Sequence, residues 1–126
     1  PIDTPFGRIG LSICYDLRFP EVARFAAMRG CQLLVNPAAW VDGRLKAEQW
    51  RTLLSARAIE NEMFVAGLSR VDKGYIGQSA VIGPDGVMLA SGSAREELVT
   101  ARIDLSVISE VRAAIPVLAH RRPELY

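Results

Sequence analysis

In Gly7-Arg8-Ile9-Gly10-Leu11-Ser12-Ile13-Cys14-Tyr15-Asp16-Leu17-Arg18-Phe19-Pro20-Glu21, an alternating apolar run ends abruptly in a cysteine and gives way to polar residues, a proline and a helical pattern. Ile9, Leu11 and Ile13 alternate as a half-buried strand requires, which predicts a strand over Arg8 to Ile13. Pro20 falls where the first turn of a helix tolerates a missing N–H. Cys14 therefore sits in a strand-to-helix connection, where a side chain can face solvent and unpaired backbone N–H groups. That position suits a nucleophile. A free cysteine also packs as a small hydrophobe, so spacing by itself leaves both roles open.

Outward from this stretch, Val22, Phe25, Ala26 and Met28 recur at helical spacing and predict a helix from Pro20 to Arg29, stopped by Gly30. Gln32 to Asn36 is a continuous apolar run, the pattern of a strand covered on both faces, and strand, helix, strand is a βαβ unit. Pro37-Ala38-Ala39-Trp40 ends that strand, and loops after parallel strands open on one edge of a sheet, so Ala39 and Trp40 are candidate pocket residues beside Cys14. Read from its position, Trp40 serves equally well as an ordinary core tryptophan.

The longest predicted helix runs from Leu45 to Glu62, with Trp50, Leu53, Leu54, Arg57, Ala58 and Asn61 on the face toward the sheet. Arg57 and Glu60 stand three apart, a spacing that favours an ion pair in structural support. Met63 to Leu68 is a third buried strand, and Val71 to Tyr75 is a loop expected near the pocket mouth. Two further strands, Gln78 to Ile82 and Val87 to Ala90, flank the hairpin turn Gly83-Pro84-Asp85-Gly86. Glu97 to Ile103 reads as one more strand, and Asp104 caps a helix from Leu105 to Ala114. From Pro116 onward there is no periodicity, as in a tail that crosses a neighbouring surface or frays. The order of elements makes a mixed α/β chain, parallel first and antiparallel after, in a single domain over 1–126.

Composition narrows the partners. The 126 residues are 50% hydrophobic, and 15 Lys and Arg stand against 14 Asp and Glu for a net charge of +1. Apart from His120-Arg121-Arg122 there is no basic block to call for nucleic acid or a membrane surface, and no apolar run approaches the roughly 20 residues of a membrane helix. The expectation is a cytoplasmic chain with a small-molecule partner. Two cysteines are too few for a disulfide scaffold and lack zinc-site spacing, and Cys31, opening the second strand, reads as packing. With no glycine-rich phosphate cradle and no metal-ligand cluster, no cofactor or metal is expected.

Gly10-x-x-x-Cys14-Tyr15-Asp16-x-Arg18-Phe19-Pro20-Glu21 resembles the cysteine segment of the nitrilase superfamily of carbon–nitrogen hydrolases. Asn36-Pro37-x-Ala39-Trp40, Ala56-Arg57-Ala58-Ile59-Glu60-Asn61, Gly77-x-Ser79 and the tail Ile115-Pro116-Val117-x-x-His120-Arg121-Arg122-Pro123-x-Leu125-Tyr126 resemble further family segments, in family order along almost the whole chain. The resemblance implies the C-terminal half of a four-layer αββα sandwich, Cys14 as nucleophile, and the Tyr15 backbone N–H as an oxyanion donor. It favours Trp40 as a pocket wall and leaves Arg18 as a candidate pocket support, with an Asp16–Arg18–Glu21 network as the structural alternative.

A thiol that hydrolyses an amide forms a thioester, and needs a base for its proton and donors for the oxyanion. His120, the one histidine, lies at the far end of the chain and is a poor base for a papain-like scheme. The resemblance implies a glutamate base and an oxyanion lysine, both from segments before this one. Neither Lys46 nor Lys73 stands in the lysine's context; Glu21 belongs to the cysteine motif, and Glu48 lies on a helix as a solvated carboxylate. The expected activity is therefore hydrolysis of a small, carboxylated amide with release of ammonia, by a longer polypeptide in which this chain supplies the cysteine. The resemblance is nearest to the ω-amidase and deaminated-glutathione-amidase branches. Nitrilase or N-carbamoyl hydrolase is the other enzyme reading, and a non-catalytic assembly module the reading from another class. A homodimer or higher homo-oligomer is expected, because half of a sandwich leaves apolar surface bare.

Overall fold

A computed structural model of the chain describes residues 1–125; Tyr126, the last residue of the tail motif, lies outside the described residues. The elements in order are β1 (Ile2–Thr4), β2 (Gly7–Leu11), a 3-10 turn (Cys14–Arg18), α1 (Pro20–Met28), β3 (Leu33–Ala38), α2 (Lys46–Asn61), β4 (Phe64–Ser69), β5 (Ala80–Ile82), β6 (Met88–Ser91) and α3 (Ser106–Ala114). One six-stranded sheet takes them in order, β1 to β6. Strands β2, β3 and β4 are parallel, with Gly10 beside Leu34 and Leu34 beside Val65. The pairs β1–β2, β4–β5 and β5–β6 are antiparallel.

Parallel strands laid down in one direction, with crossovers of one hand, put their helices on one face of the sheet. Glycine on two strands shows how closely those helices pack. A Cβ at Gly10 would lie 2.8 Å from the Ala26 methyl on α1, and one at Gly67 would lie 2.6 Å from Leu54 and Trp50 on α2. Ala23, Ala26 and Ala27 are buried on α1, and Trp50, Leu54 and Ala58 on α2, closing a core with Leu17, Cys31, Leu34 and Val65. On the opposite sheet face Ile103 and Leu105 share a cleft with Ile9 and Leu33, and Val107 of α3 shares one with buried Phe64, but the strand ends toward Leu11 and Leu68 are open. Leu11 is 57% exposed and Leu68 49% exposed, and Ile9, Leu33, Val35, Ala66 and Val81 are half-buried.

The predicted helices and the parallel-then-antiparallel order stand, with limits moved by one or two residues. Helix α1 ends through Gly30 at φ +78°, with the Cys31 N–H reaching back to the Ala26 carbonyl at 3.1 Å. Strand β3 runs on through Pro37 to Ala38, because Pro37 pairs beside Leu68 at the end of the ladder. Strand β1 has no counterpart in the sequence reading: three residues with prolines on both sides give no period, and the strand exists because Thr4 turns the chain back, donating from Oγ1 to the Gly7 carbonyl at 2.6 Å.

The strand expected over Glu97 to Ile103 does not form. Leu98 is 90% exposed, and the Glu97 carboxylate turns back to accept from the Ser93 N–H, so the segment is spent in a local turn and leaves β6 as the sheet edge. The tail does cross a neighbouring surface. Buried Glu62, the residue after α2, accepts from the Val117 and Leu118 N–H groups at 2.9 and 3.2 Å, strapping the segment after α3 to the end of α2.

Candidate active site

The end of β2 is shaped by three hydrogen bonds that prepare Cys14. The Ser12 N–H donates to the Val35 carbonyl at 3.1 Å, the last bond of the sheet type. Beyond it the Ile13 N–H donates to the Asp16 carboxylate at 2.9 Å and the Asp16 N–H to the Ile13 carbonyl at 3.0 Å, a reciprocal pair that pinches the chain around Cys14 and Tyr15. Cys14 is thereby held at φ +48°, a left-handed conformation that costs a side-chain-bearing residue roughly 1–2 kcal/mol. Strain of this kind persists only where surrounding structure over-determines it, and it clusters at functional sites.

That surrounding structure is α2. Arg57 is buried and donates from Nε to the Leu17 carbonyl at 3.0 Å, inside the 3-10 turn, while its Nη1 holds Glu60 at 2.9 Å. Asn61 in turn donates to the Arg57 carbonyl at 2.8 Å. The pair expected from spacing is thus a clamp on the cysteine turn. Beneath the strand end, Asn36 donates to the Ser12 hydroxyl at 2.7 Å, both buried.

The five residues singled out from the sequence, Cys14, Tyr15, Arg18, Ala39 and Trp40, line one cleft of about 110 Å³ at the C-terminal edge of the parallel strands. Val41 and Lys46 complete the lining. Cys14 is partly exposed there. The Tyr15 N–H donates to no acceptor among the described residues, because the first N–H groups of a 3-10 turn have no partner behind them. Arg18 lies over Trp40, its Cζ 4.7 Å from the ring centroid and 5.6 Å from that of Tyr15, and donates to Gln49 Oε1 at 3.2 Å.

Trp40 is both things its position allowed. It lines the cleft, and it is only 4% exposed, its ring tilted 50° against Trp50 with centroids 5.0 Å apart and its indole N–H on the Lys46 carbonyl at 3.0 Å. The loop over 71–75 does reach the mouth: Tyr75 bridges Val41, and the Asp42 N–H donates to the Gly74 carbonyl.

Other expectations separate. The Asp16–Arg18–Glu21 network does not form, since Asp16 is taken by Ile13, Arg18 by Gln49 and the two rings, and Glu21 faces away. Glu21 and His120 line a different and larger cleft, about 700 Å³, with Pro20 and Arg24. Cys31 is fully buried, and burial pushes its thiol pKa up. Among the described residues no carboxylate lines the Cys14 cleft, and no group of three His, Cys, Asp or Glu is placed to hold a metal ion. Nor is any described helix long and apolar enough to cross a membrane.

Lys46 lines the cleft although its sequence neighbours do not match an oxyanion lysine. The signal that marks it is positional: it opens the helix that follows a parallel strand, and that end of such a helix borders the cleft.

Comparison with known proteins places this arrangement. The deaminated glutathione amidase of Escherichia coli O157:H7 is 44% identical over 115 residues, covering 91% of this chain and 44% of its own length. Human omega-amidase NIT2 is 43% identical over 129 residues, covering 98% of this chain and 46% of its own. The chain thus spans about half the length of these relatives. A carbon-nitrogen hydrolase from Helicobacter pylori G27 superposes with a TM-score of 0.91 at 32% identity, over 100% of this chain and 50% of the other. A mutant amidase from Nesterenkonia sp. AN1, crystallised with the acetamide moiety of fluoroacetamide added covalently at its active-site cysteine, superposes with a TM-score of 0.79 at 29% identity, over 99% and 48%. The carbon-nitrogen hydrolase family model matches residues 1–113, and this chain belongs to that family.

Proposed function

We propose that this chain is the cysteine-bearing part of an amidase that hydrolyses a small, carboxylated amide. The observation that carries the reading is Cys14 itself, held in a left-handed turn at the rim of a cleft, next to an uncommitted Tyr15 N–H, in a chain of this family. The Cys14 sulfur attacks the amide carbonyl carbon; as the S–C bond forms, the carbonyl π pair moves to oxygen, where the Tyr15 N–H can donate to it. Collapse of the adduct breaks the C–N bond, the nitrogen takes a proton, and ammonia leaves. Water then adds to the thioester, and the carboxylic acid departs as the thiol is restored.

The reaction needs a base, and none lines the cleft among the described residues. We assign that base and the charged oxyanion partner to a glutamate and a lysine outside these 126 residues, so the domain as given is one part of the catalytic unit. The likeness to an omega-amidase and to a deaminated glutathione amidase supports an amide substrate, and we take its far end to carry a carboxylate.

The test compares ammonia release from mono-amides of short dicarboxylic acids by three proteins: the full-length polypeptide, its Cys14→Ala variant and residues 1–126 alone. Activity is expected from the first only. Activity surviving Cys14→Ala would overturn the nucleophile. Equal activity from residues 1–126 would place the base inside this chain. Preference for nitriles or N-carbamoyl compounds would shift the reading to those branches.

A further inference from the structure

We infer that Lys46 is the group that takes the substrate's carboxylate, and so determines which amides the cleft accepts. The inference rests on the reading of Cys14 as nucleophile and adds a specificity residue to it. The cleft is lined by two cations, Arg18 and Lys46, and by no carboxylate. The two cations differ in how far they are committed. Arg18 is spread over the Trp40 and Tyr15 rings and bound to Gln49, so its charge is a fixed part of the wall. The Lys46 ammonium has no hydrogen bond or ion pair among the described residues.

Neighbouring acids do not supply one. Asp42 accepts from the Gly43 N–H at 2.7 Å, and Asp16 is held by Ile13. Local helix physics does not call for a lysine here either. Lys46 is the first residue of α2, where the helix dipole disfavours a cation, and it makes no cap. Its backbone, by contrast, is fixed: the Lys46 N–H donates to Gly43 and its carbonyl accepts the Trp40 indole N–H. Lys46 is half-buried, its backbone is tied to the cleft wall, it lines the same cleft as Cys14, and its ammonium keeps three unused donors. Such a compact charge on a flexible stem suits a carboxylate at the far end of a short chain, and the ligand class is a mono-amide of a short dicarboxylic acid.

The deciding experiment uses the alkylation of Cys14, which does not depend on turnover. Iodoacetamide, iodoacetate and N-iodoacetyl-β-alanine all react alike: the thiolate sulfur bonds the methylene carbon as the C–I bond breaks and iodide leaves. Rates at Cys14, read by peptide mass, are compared in the unaltered chain and in Lys46→Met, Lys46→Gln and Lys46→Arg. The rate of at least one acid relative to iodoacetamide should fall about fivefold in the Met and Gln variants, as expected for loss of one charge at contact in a wet cleft, and return in the Arg variant. Unchanged ratios for both acids, or an equal fall for all three reagents, would overturn the assignment. Ammonia release by the full-length polypeptide is measured separately. Its absence would sink the amidase reading and leave the alkylation ratios to judge Lys46.

Discussion

Cys14 and Cys31 have the same side chain and opposite settings, and the difference is backbone. Cys31 follows the glycine stop of α1 and points into the core, fully buried with its thiol pKa raised. Cys14 stands at φ +48° on a rim. Limited iodoacetamide on the folded chain should therefore label Cys14 well before Cys31, and peptide mapping that finds Cys31 labelled first would refute the assignment. Arg57 acts one layer behind. Replacing it with Met removes the donor to the Leu17 carbonyl and frees Glu60, which is itself part-exposed, so a loss of about 2 kcal/mol in the urea unfolding free energy is expected. Because the clamp holds the cysteine turn, Arg57→Met should also change the Cys14 alkylation rate, with Arg57→Lys recovering part of it. A stability loss with no change at Cys14 would reduce Arg57 to ordinary core support.

At the scale of elements, α2 does most of the positioning: it packs on β4, clamps the cysteine turn through Arg57 and opens on the cleft at Lys46, and Glu62 just past its end straps the tail. Its approach to the sheet depends on the missing side chain of Gly67. Gly67→Ala puts a methyl 2.6 Å from both Leu54 and Trp50, neither of which has room to move, and should destabilise the chain by about 1–3 kcal/mol in thermal or urea unfolding. A neutral result would mean that the helix can lift without loss. The Glu62 strap is a separate matter. Glu62→Ala leaves the Val117 and Leu118 N–H groups without their acceptor, so hydrogen exchange at those two amides should accelerate at least tenfold while the amides of β3 and β4 keep their protection. Uniform acceleration across the sheet would show that the strap is part of the cooperative unit.

For the whole molecule, the sheet carries α1 and α2 on one face and leaves apolar side chains, Leu11 and Leu68 among them, exposed on the other. Exposed apolar surface of this extent is rarely left open in a monomer in solution. Residues 1–126 alone should therefore self-associate, giving a mass above 13.8 kDa by light scattering at high concentration. A clean monomer would mean that the second face is tolerated in water.

Whatever rests on local period and local stereochemistry could be read from the residues before folding. Alternation in Ile9 to Ile13, helical spacing from Trp50 to Asn61, the Gly30 stop and the Gly83-Pro84-Asp85-Gly86 turn each depend on neighbours a few residues away, so their reading survives folding. The cysteine elbow was legible for the same reason, and Ala39 and Trp40 because a parallel sheet sends its loops to one edge. Tertiary structure decided what depends on long-range pairing. Strand β1 exists only against β2, and Glu97 to Ile103 finds no strand to pair with, its acid accepting instead from the Ser93 N–H. It also decided the charge around Cys14: Asp16, Arg18 and Glu21 are close in sequence yet part company, while Arg57 and Lys46, from a distant helix, come to the site because hydrogen bonds and burial, unlike period, act on proximity in space.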